Sequence, residues 1–195
     1  KDASRCLDAL EKNEQVQIAA TYRISEANSD GNRIVFYPEK ISIPCIRQQA
    51  EKESEKKSFH ALSDFVAPLT TGKHDYVGAF AVTTGAEIEE MIEKQNRKGD
   101  NYQAILLQSI ADRLAEAATE LLHYRIRKEF WGYAANEAFD TEAILRQQYQ
   151  GIRPAIGYPS LPDQSLIKEM DKLLNLEQIG IHPTENGALR PSSSV

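Results

Sequence analysis

The sequence predicts an α+β fold built on an antiparallel sheet, because strand-like segments cluster early, helical periodicities cluster late, and the two do not alternate. A doubly wound parallel sheet would need a repeated strand-helix-strand order. Asp2 to Lys12 reads as a short helix with Cys6, Leu7 and Leu10 on one face. Val16 to Ile24 and Arg33 to Tyr37 are strand-like. Between them Asn28-Ser29-Asp30-Gly31-Asn32 is a turn, since Gly and Asn tolerate the positive φ that tight hairpins require. Ile41 to Ile46 forms another strand, interrupted by Pro44, and the charged stretch Glu51 to Lys57 is a solvated helix end or loop.

Asp75 to Thr84 is rich in β-branched and aromatic residues and stops at Gly85, which marks a buried strand. The period then changes. Ala86 to Lys98 is helical, and Asn101 to about Phe130 is a long amphipathic helix with Leu106, Ile110, Leu114, Ala117, Leu121 and Ile126 as its apolar seam. Asp140 is placed to cap a helix running to Tyr149, with Gly151 near its stop. Leu166 to Leu174 is a last amphipathic helix. The only low-complexity piece is Pro191 to Val195, and no internal repeat is present.

Composition narrows the function classes. A chain of 195 residues, 41% hydrophobic and 27% charged, is long enough for one domain with a real core. A net charge of −6 and a pI near 5.3 argue against a nucleic-acid partner, which calls for a basic footprint. No apolar run approaches the length that spans a bilayer, and the first residues carry no signal-peptide core. Cys6 and Cys45 form no C-x-x-C pair, so reduced thiols in a cytoplasmic chain are expected.

Familiar catalytic signatures are missing from the sequence. It contains no G-x-G, G-x-S-x-G or H-E-x-x-H. Gly72-Lys73-His74 lacks the other residues of a phosphate-binding loop, and His60, His74, His123 and His182 sit at no metal-ligand spacing, so no metal site is expected.

Chemistry concentrates in Tyr149-Gln150-Gly151-Ile152-Arg153-Pro154-Ala155-Ile156-Gly157-Tyr158-Pro159, between two predicted helices. Arg153 offers a planar fork for a carboxylate. Pro154 restricts the loop, Gly157 permits close backbone approach, and Tyr158 brings a ring face and a hydroxyl. These residues suit a zwitterionic, adenine-bearing, positively charged ligand. They equally suit a stiff helix-to-helix connection, with Arg153 capping carbonyls and Tyr158 packed on the core.

The segment resembles the R-P-A-x-G-Y-P signature of the activation domain of vitamin B12-dependent methionine synthase. Asp64 to Pro68, Asp75 to Thr83, Ala111 to Ala117, Trp131 to Ala134, Thr184 to Asn186 and Pro191 to Val195 are similar to that family in the same order. The resemblance implies a C-shaped α+β fold on a twisted antiparallel sheet. It also implies a reactivation module that holds S-adenosylmethionine for reductive methylation of cob(II)alamin, within a methyltransferase whose cobalamin is bound by another module. By the same resemblance Arg153 binds the methionine carboxylate, while the backbone around Ala155 and Gly157 and the side chain of Tyr158 hold the rest.

Asp112 and Glu116 share one helix face, which reads as a solvated surface beside Arg113, while the resemblance implies that acidic residues at these positions dock on the cobalamin domain. The implied electron donor is a flavodoxin or reductase. Ser160-Leu161-Pro162 departs from the family's Ala-Cys-Pro. By the same resemblance the chain is expected to be truncated at both ends, lacking an upstream Asp-Trp segment and a strand beyond Val195, and so to bind the ligand weakly or not at all by itself. With no cobalamin, folate or homocysteine module it is not expected to turn over alone. A docking module that binds no ligand, and an unrelated stand-alone methyltransferase, are the competing classes.

Overall fold

A computed structural model describes residues 1–14, 16–49 and 58–195; the charged stretch Glu51 to Lys57 lies outside them. Four strands, β1 (Ala19–Ser29), β2 (Arg33–Phe36), β3 (Ile41–Pro44) and β4 (Asp75–Thr83), form one antiparallel sheet in the order β3-β2-β1-β4. The helices are α1 (Asp2–Glu11), α2 (Ala86–Arg97), α3 (Asn101–Arg125), α4 (Thr141–Leu145) and α5 (Ile167–Leu174). The α+β antiparallel architecture is the one the sequence predicts. A small ribbon, β5 (His182–Pro183) with β6 (Leu189–Arg190), was not legible in advance.

The first strand starts later and runs further than its composition suggests. Asn28 and Ser29 are strand residues rather than turn residues, because the fold satisfies their side chains across the sheet edge. The Asn28 amide donates to the carbonyls of Ala67 and Lys73 at 3.0 and 2.8 Å, and the Ser29 hydroxyl donates to Val66 at 2.9 Å. The turn itself is Asp30 to Asn32, closed by two backbone bonds between Asp30 and Arg33, with Gly31 at φ 60°. β1 pairs with β4 through Ala19–Ala27 and with β2 only through Ala27–Ser29, so its two ends serve different neighbours. β3 ends at Pro44 opposite Arg33, and the next backbone bond in the same register runs from the Cys45 N–H to the Asn32 carbonyl at 2.8 Å.

One face of the sheet packs on α5, where Ala27, Phe36, Ala79 and Ala81 meet Leu166, Leu173 and Leu174. A second core joins Leu10 of α1, Ile88 and Ile92 of α2, and Ala104, Leu107 and Ala111 of α3. The seam of α3 differs from the predicted one. Its buried stripe is Ala104, Leu107, Ala111, Ala115, Thr119 and His123, while Ala117 and Leu121 are exposed. Small side chains on this stripe let the helix approach its neighbours closely, and the larger aliphatics are only partly covered. The helix ends at Arg125 in one turn of π-helix, Ile126–Phe130.

The terminal segment, low in complexity as a sequence, is tied to the free edge of β4. Val82 and Val195 exchange backbone bonds at 2.8 and 2.9 Å, and the Thr84 N–H donates to the Ser193 carbonyl. Ala111 is fully buried, so Ala111→Leu is expected to destabilise the fold by about 1–3 kcal/mol through overpacking, whereas Ala117→Leu should change it by less than about 0.5 kcal/mol. Urea unfolding of the two variants checks which stripe is the core.

Candidate functional site

The R-P-A-I-G-Y-P segment is fixed from below by a column of side chains. Arg127 has 0% of its surface exposed. Its Nε and Nη2 donate to the two carboxylate oxygens of Glu137 at 2.8 and 2.5 Å. The guanidinium lies over the Tyr149 ring, 4.0 Å from its centroid. Tyr149 meets His123 edge-on at 5.1 Å, and His123 stacks on Phe80 of β4 at 6.1 Å. Sheet, long helix and loop are thus locked through one stack. Lys128 adds bonds to the Tyr124 hydroxyl and the Glu137 carbonyl, both at 2.9 Å.

This stack explains why α4 stops at Leu145 and not at Tyr149. Asp140 caps the helix as predicted, accepting from the N–H groups of Glu142 and Ala143. Gln147 then takes a left-handed φ of 56°, and the chain turns so that the Tyr149 ring reaches Arg127 and His123. Gly151 follows at φ 100°, where a Cβ would come within 2.9 Å of the Tyr133 hydroxyl. That hydroxyl donates to the Gln150 carbonyl at 3.3 Å.

The motif itself is a self-bonded loop. The Gly157 N–H donates to the Leu161 carbonyl and the Leu161 N–H to the Tyr158 carbonyl, each at 2.8 Å. Gly157 sits at φ 90°, a conformation few other residues adopt. Since its N–H is engaged within the loop, Gly157 offers a ligand its carbonyl and its open surface. Ala155 is half-buried beside it, with its carbonyl 3.4 Å from the Tyr158 N–H. Tyr158 is 66% exposed and so is not packed on the core. Arg153 caps no helix carbonyls; its Nη2 pairs with Oε1 of Glu120 on α3. The two details of the purely structural reading of this loop therefore do not hold.

Arg153 and Glu120 are only 23% and 25% exposed. The Arg153 Nε and the Glu120 Oε2 are both buried with no hydrogen-bond partner, as are the Thr119 hydroxyl, His123 Nδ1 and Arg127 Nη1. Unsatisfied polar atoms thus gather on one stretch of α3 and the loop above it. Asp112 and Glu116 lie on the same helix, eight and four positions before Glu120. Asp112 accepts from Gln108 and from the Ser193 hydroxyl at 2.8 and 2.9 Å, which makes it an anchor for the terminal segment. Glu116 is exposed and pairs with the still more exposed Arg113. Tyr22 stacks on Phe130 at 4.8 Å, and Trp131 meets Tyr133 edge-on, both as exposed rings next to the loop's support.

Charges in the column are strongly biased. Burial, helped by the nearby Arg127 and Arg153 charges, pushes His123 down to about 4, so the imidazole is neutral at pH 7. The Arg127 hydrogen bonds hold Glu137 below the ordinary carboxylate range. Burial pushes both thiols, Cys6 and Cys45, up and away from thiolate chemistry. Among the described residues no group of three or more His, Cys, Asp or Glu could hold a metal ion, and no helix is long and apolar enough to cross a membrane. Two shallow clefts of about 280 and 320 Å³, one beside His74 and one between α1 and α3, do not include the motif.

Sequence reasoning missed Glu120, His123, Arg127, Glu137 and Tyr149 as a supporting set. A signal was available: Thr119, His123 and Arg127 continue the buried stripe of α3 at steps of four, and polar residues on a core stripe need partners.

Residues 1–195 match the model of the family described as vitamin B12 dependent methionine synthase, activation domain. A solved structure described as the MetH reactivation domain bound to AdoHcy is similar, with 39% sequence identity and a TM-score of 0.92. The match covers 100% of this chain and 61% of that one, so the chain spans about three fifths of its length.

A depressed imidazole pKa makes stability depend on acid. Between about 4 and the ordinary 6.5, the unfolded chain binds a proton at His123 that the folded chain refuses. Stability from this group is therefore whole above pH 6.5 and is lost as pH falls toward 4, by on the order of 3 kcal/mol in all. His123→Phe is expected to flatten that part of the slope, which urea unfolding at pH 7 and pH 4.5 would measure; an unchanged slope would contradict the assignment.

Proposed function

Since the chain belongs to the activation domain family of vitamin B12-dependent methionine synthase, we propose that it is an S-adenosylmethionine-binding reactivation module, with the ligand held at Arg153 and the loop that follows. The single observation that carries this reading is the state of Arg153. Its side chain is mostly buried at the base of an open loop, and its Nε–H has no acceptor. A guanidinium in that condition is matched by a carboxylate that brings a second oxygen. The exposed Tyr158 ring beside it suits a purine face or a sulfonium. The solved relative is described as bound to AdoHcy, which has the same carboxylate, ammonium and adenosine groups as the proposed ligand and lacks only the transferred methyl.

The ligand supplies a methyl group on a sulfonium, already a good leaving group. What remains for this chain is placement. Arg153 would fix the carboxylate end, Tyr158 the ring end, and the carbonyls of Ala155 and Gly157 the groups between. The Phe80–His123–Tyr149–Arg127 column would hold the loop in one geometry while this happens. Catalysis of that kind is proximity and orientation, and it needs no acid-base pair from the module. The cobalamin-carrying domain of the same cytoplasmic enzyme would be the partner, with a flavodoxin or reductase as electron donor.

Glu116 favours a second role for the same module. An exposed pair such as Arg113–Glu116 contributes little in place, so the carboxylate can exchange partners when another domain docks. Asp112 is less free, because the Ser193 anchor engages it.

Calorimetric titration of S-adenosylmethionine tests the ligand assignment, both in this chain and in a version extended to the length of the solved relative. Arg153→Ala is expected to weaken binding roughly tenfold to a hundredfold with an unchanged circular dichroism spectrum. Equal affinity in the variant would remove Arg153 from the site, and no binding in either parent form would leave the docking role alone.

A further inference from the structure

We propose that Glu120 reads the α-ammonium group of the ligand while Arg153 reads its carboxylate, so that α3 and the loop together select an α-amino-acid end. This rests on the ligand site proposed above and goes further, to a residue the motif does not contain. The argument starts from an incomplete ion pair. A guanidinium and a carboxylate placed edge to edge make two parallel hydrogen bonds. Here Nη2 of Arg153 meets Oε1 of Glu120, but Nε and Oε2 are left without partners although both are buried. One donor and one acceptor therefore stand unanswered at the same spot. Such groups are costly unless something else completes them.

A zwitterionic α-amino acid completes both. Its carboxylate accepts from the free N–H of Arg153, and its ammonium, a group with three donors and no acceptor, donates to the free oxygen of Glu120. A ligand with a carboxylate alone would satisfy Arg153 and leave Glu120 as it was. The other carboxylates on and below this face have partners of their own or lie in water. Asp112 accepts from Gln108 and Ser193, Glu137 is gripped by Arg127, and Glu116 lies in solvent beside Arg113. Partial burial of Glu120 makes a charged contact stronger there than at an open surface.

A simpler role for Glu120, as a counter-ion that merely occupies Arg153 until ligand arrives, predicts the opposite sign. Removing its charge would then free Arg153 and tighten binding. The test is titration of S-adenosylhomocysteine and of its analogue lacking the α-amino group, into the parent form that binds and into Glu120→Gln. We expect the parent to bind the amine-bearing ligand at least about tenfold more tightly than the deaminated analogue, and Glu120→Gln to erase that preference. The analogue on the unmutated chain gives a reading that depends on no variant. A parent that shows no preference, or a Glu120→Gln variant that binds both ligands as well or better, overturns the role of Glu120 and leaves Arg153 in place. A parent that binds neither ligand removes the site itself, and the proposal with it.

Discussion

A guanidinium with none of its surface in water is the constraint around which this structure is arranged. Arg127 cannot be deprotonated at any relevant pH, so burying it obliges the fold to bring a carboxylate and further polar or aromatic surface to the same point. Glu137 answers with both oxygens, and the Tyr149 ring covers the flat face. These partners come from the stretch after the long helix and from the loop that follows α4. Meeting the charge therefore folds the chain from 126 to 150 back onto α3, and it puts the R-P-A-I-G-Y-P loop where it is. An uncharged residue at this position would leave that whole return path without an organiser. A buried ion pair of this sort adds little net stability compared with an apolar one, but losing one partner is severe, which is how it enforces a single arrangement.

The small-residue stripe of α3 makes the same demand from the other side. Ala104, Ala111 and Ala115 let the helix lie close to its neighbours, and by the level of Thr119 and His123 the stripe turns polar. Chemistry and packing therefore divide one helix lengthwise. The first half is a structural stave between α1 and α2, and the second half is the floor of the site. The π-helical turn at Ile126–Phe130 marks the change, and exposed aromatic rings gather just beyond it.

Much of the fold was legible in the sequence because the responsible forces are local. The β-branched and aromatic run from Asp75 to Thr84 and the Asp140 cap each act within a few residues and are where they were expected, and the expected turn at Asn28 to Asn32 is present over its last three residues. The failures share a cause. Asn28 and Ser29 have turn chemistry, yet partners far along the chain hold them in a strand. Helix α4 has the composition to continue, yet the pull of Arg127 and His123 on Tyr149 ends it early. Pro191 to Val195 has no pattern of its own, and the open edge of β4 gives its last residues one. The large aliphatics of α3 suggested a seam that close packing assigned to alanines. The motif residues Arg153, Ala155, Gly157 and Tyr158 were legible as types, while Glu120, which decides what Arg153 has left to offer, was not, because their pairing spans 33 positions.

Under the proposed role this chain needs no acid-base constellation, because placement alone does the work. A module whose ligand already has a good leaving group contributes most by restricting orientation, and restriction comes from rigidity around the contact atoms. Such a site need not form a deep cavity. An open loop is adequate when its backbone is cross-bonded, as at Gly157 and Leu161, and its base is fixed to two other elements, as it is through Tyr149. Under the proposed role, an open loop would also leave one side of a bound ligand uncovered for a partner carried on another domain. The exposure of Tyr158 and the burial of Arg127 are in that sense two halves of one arrangement: a rigid floor, and a face left clear above it.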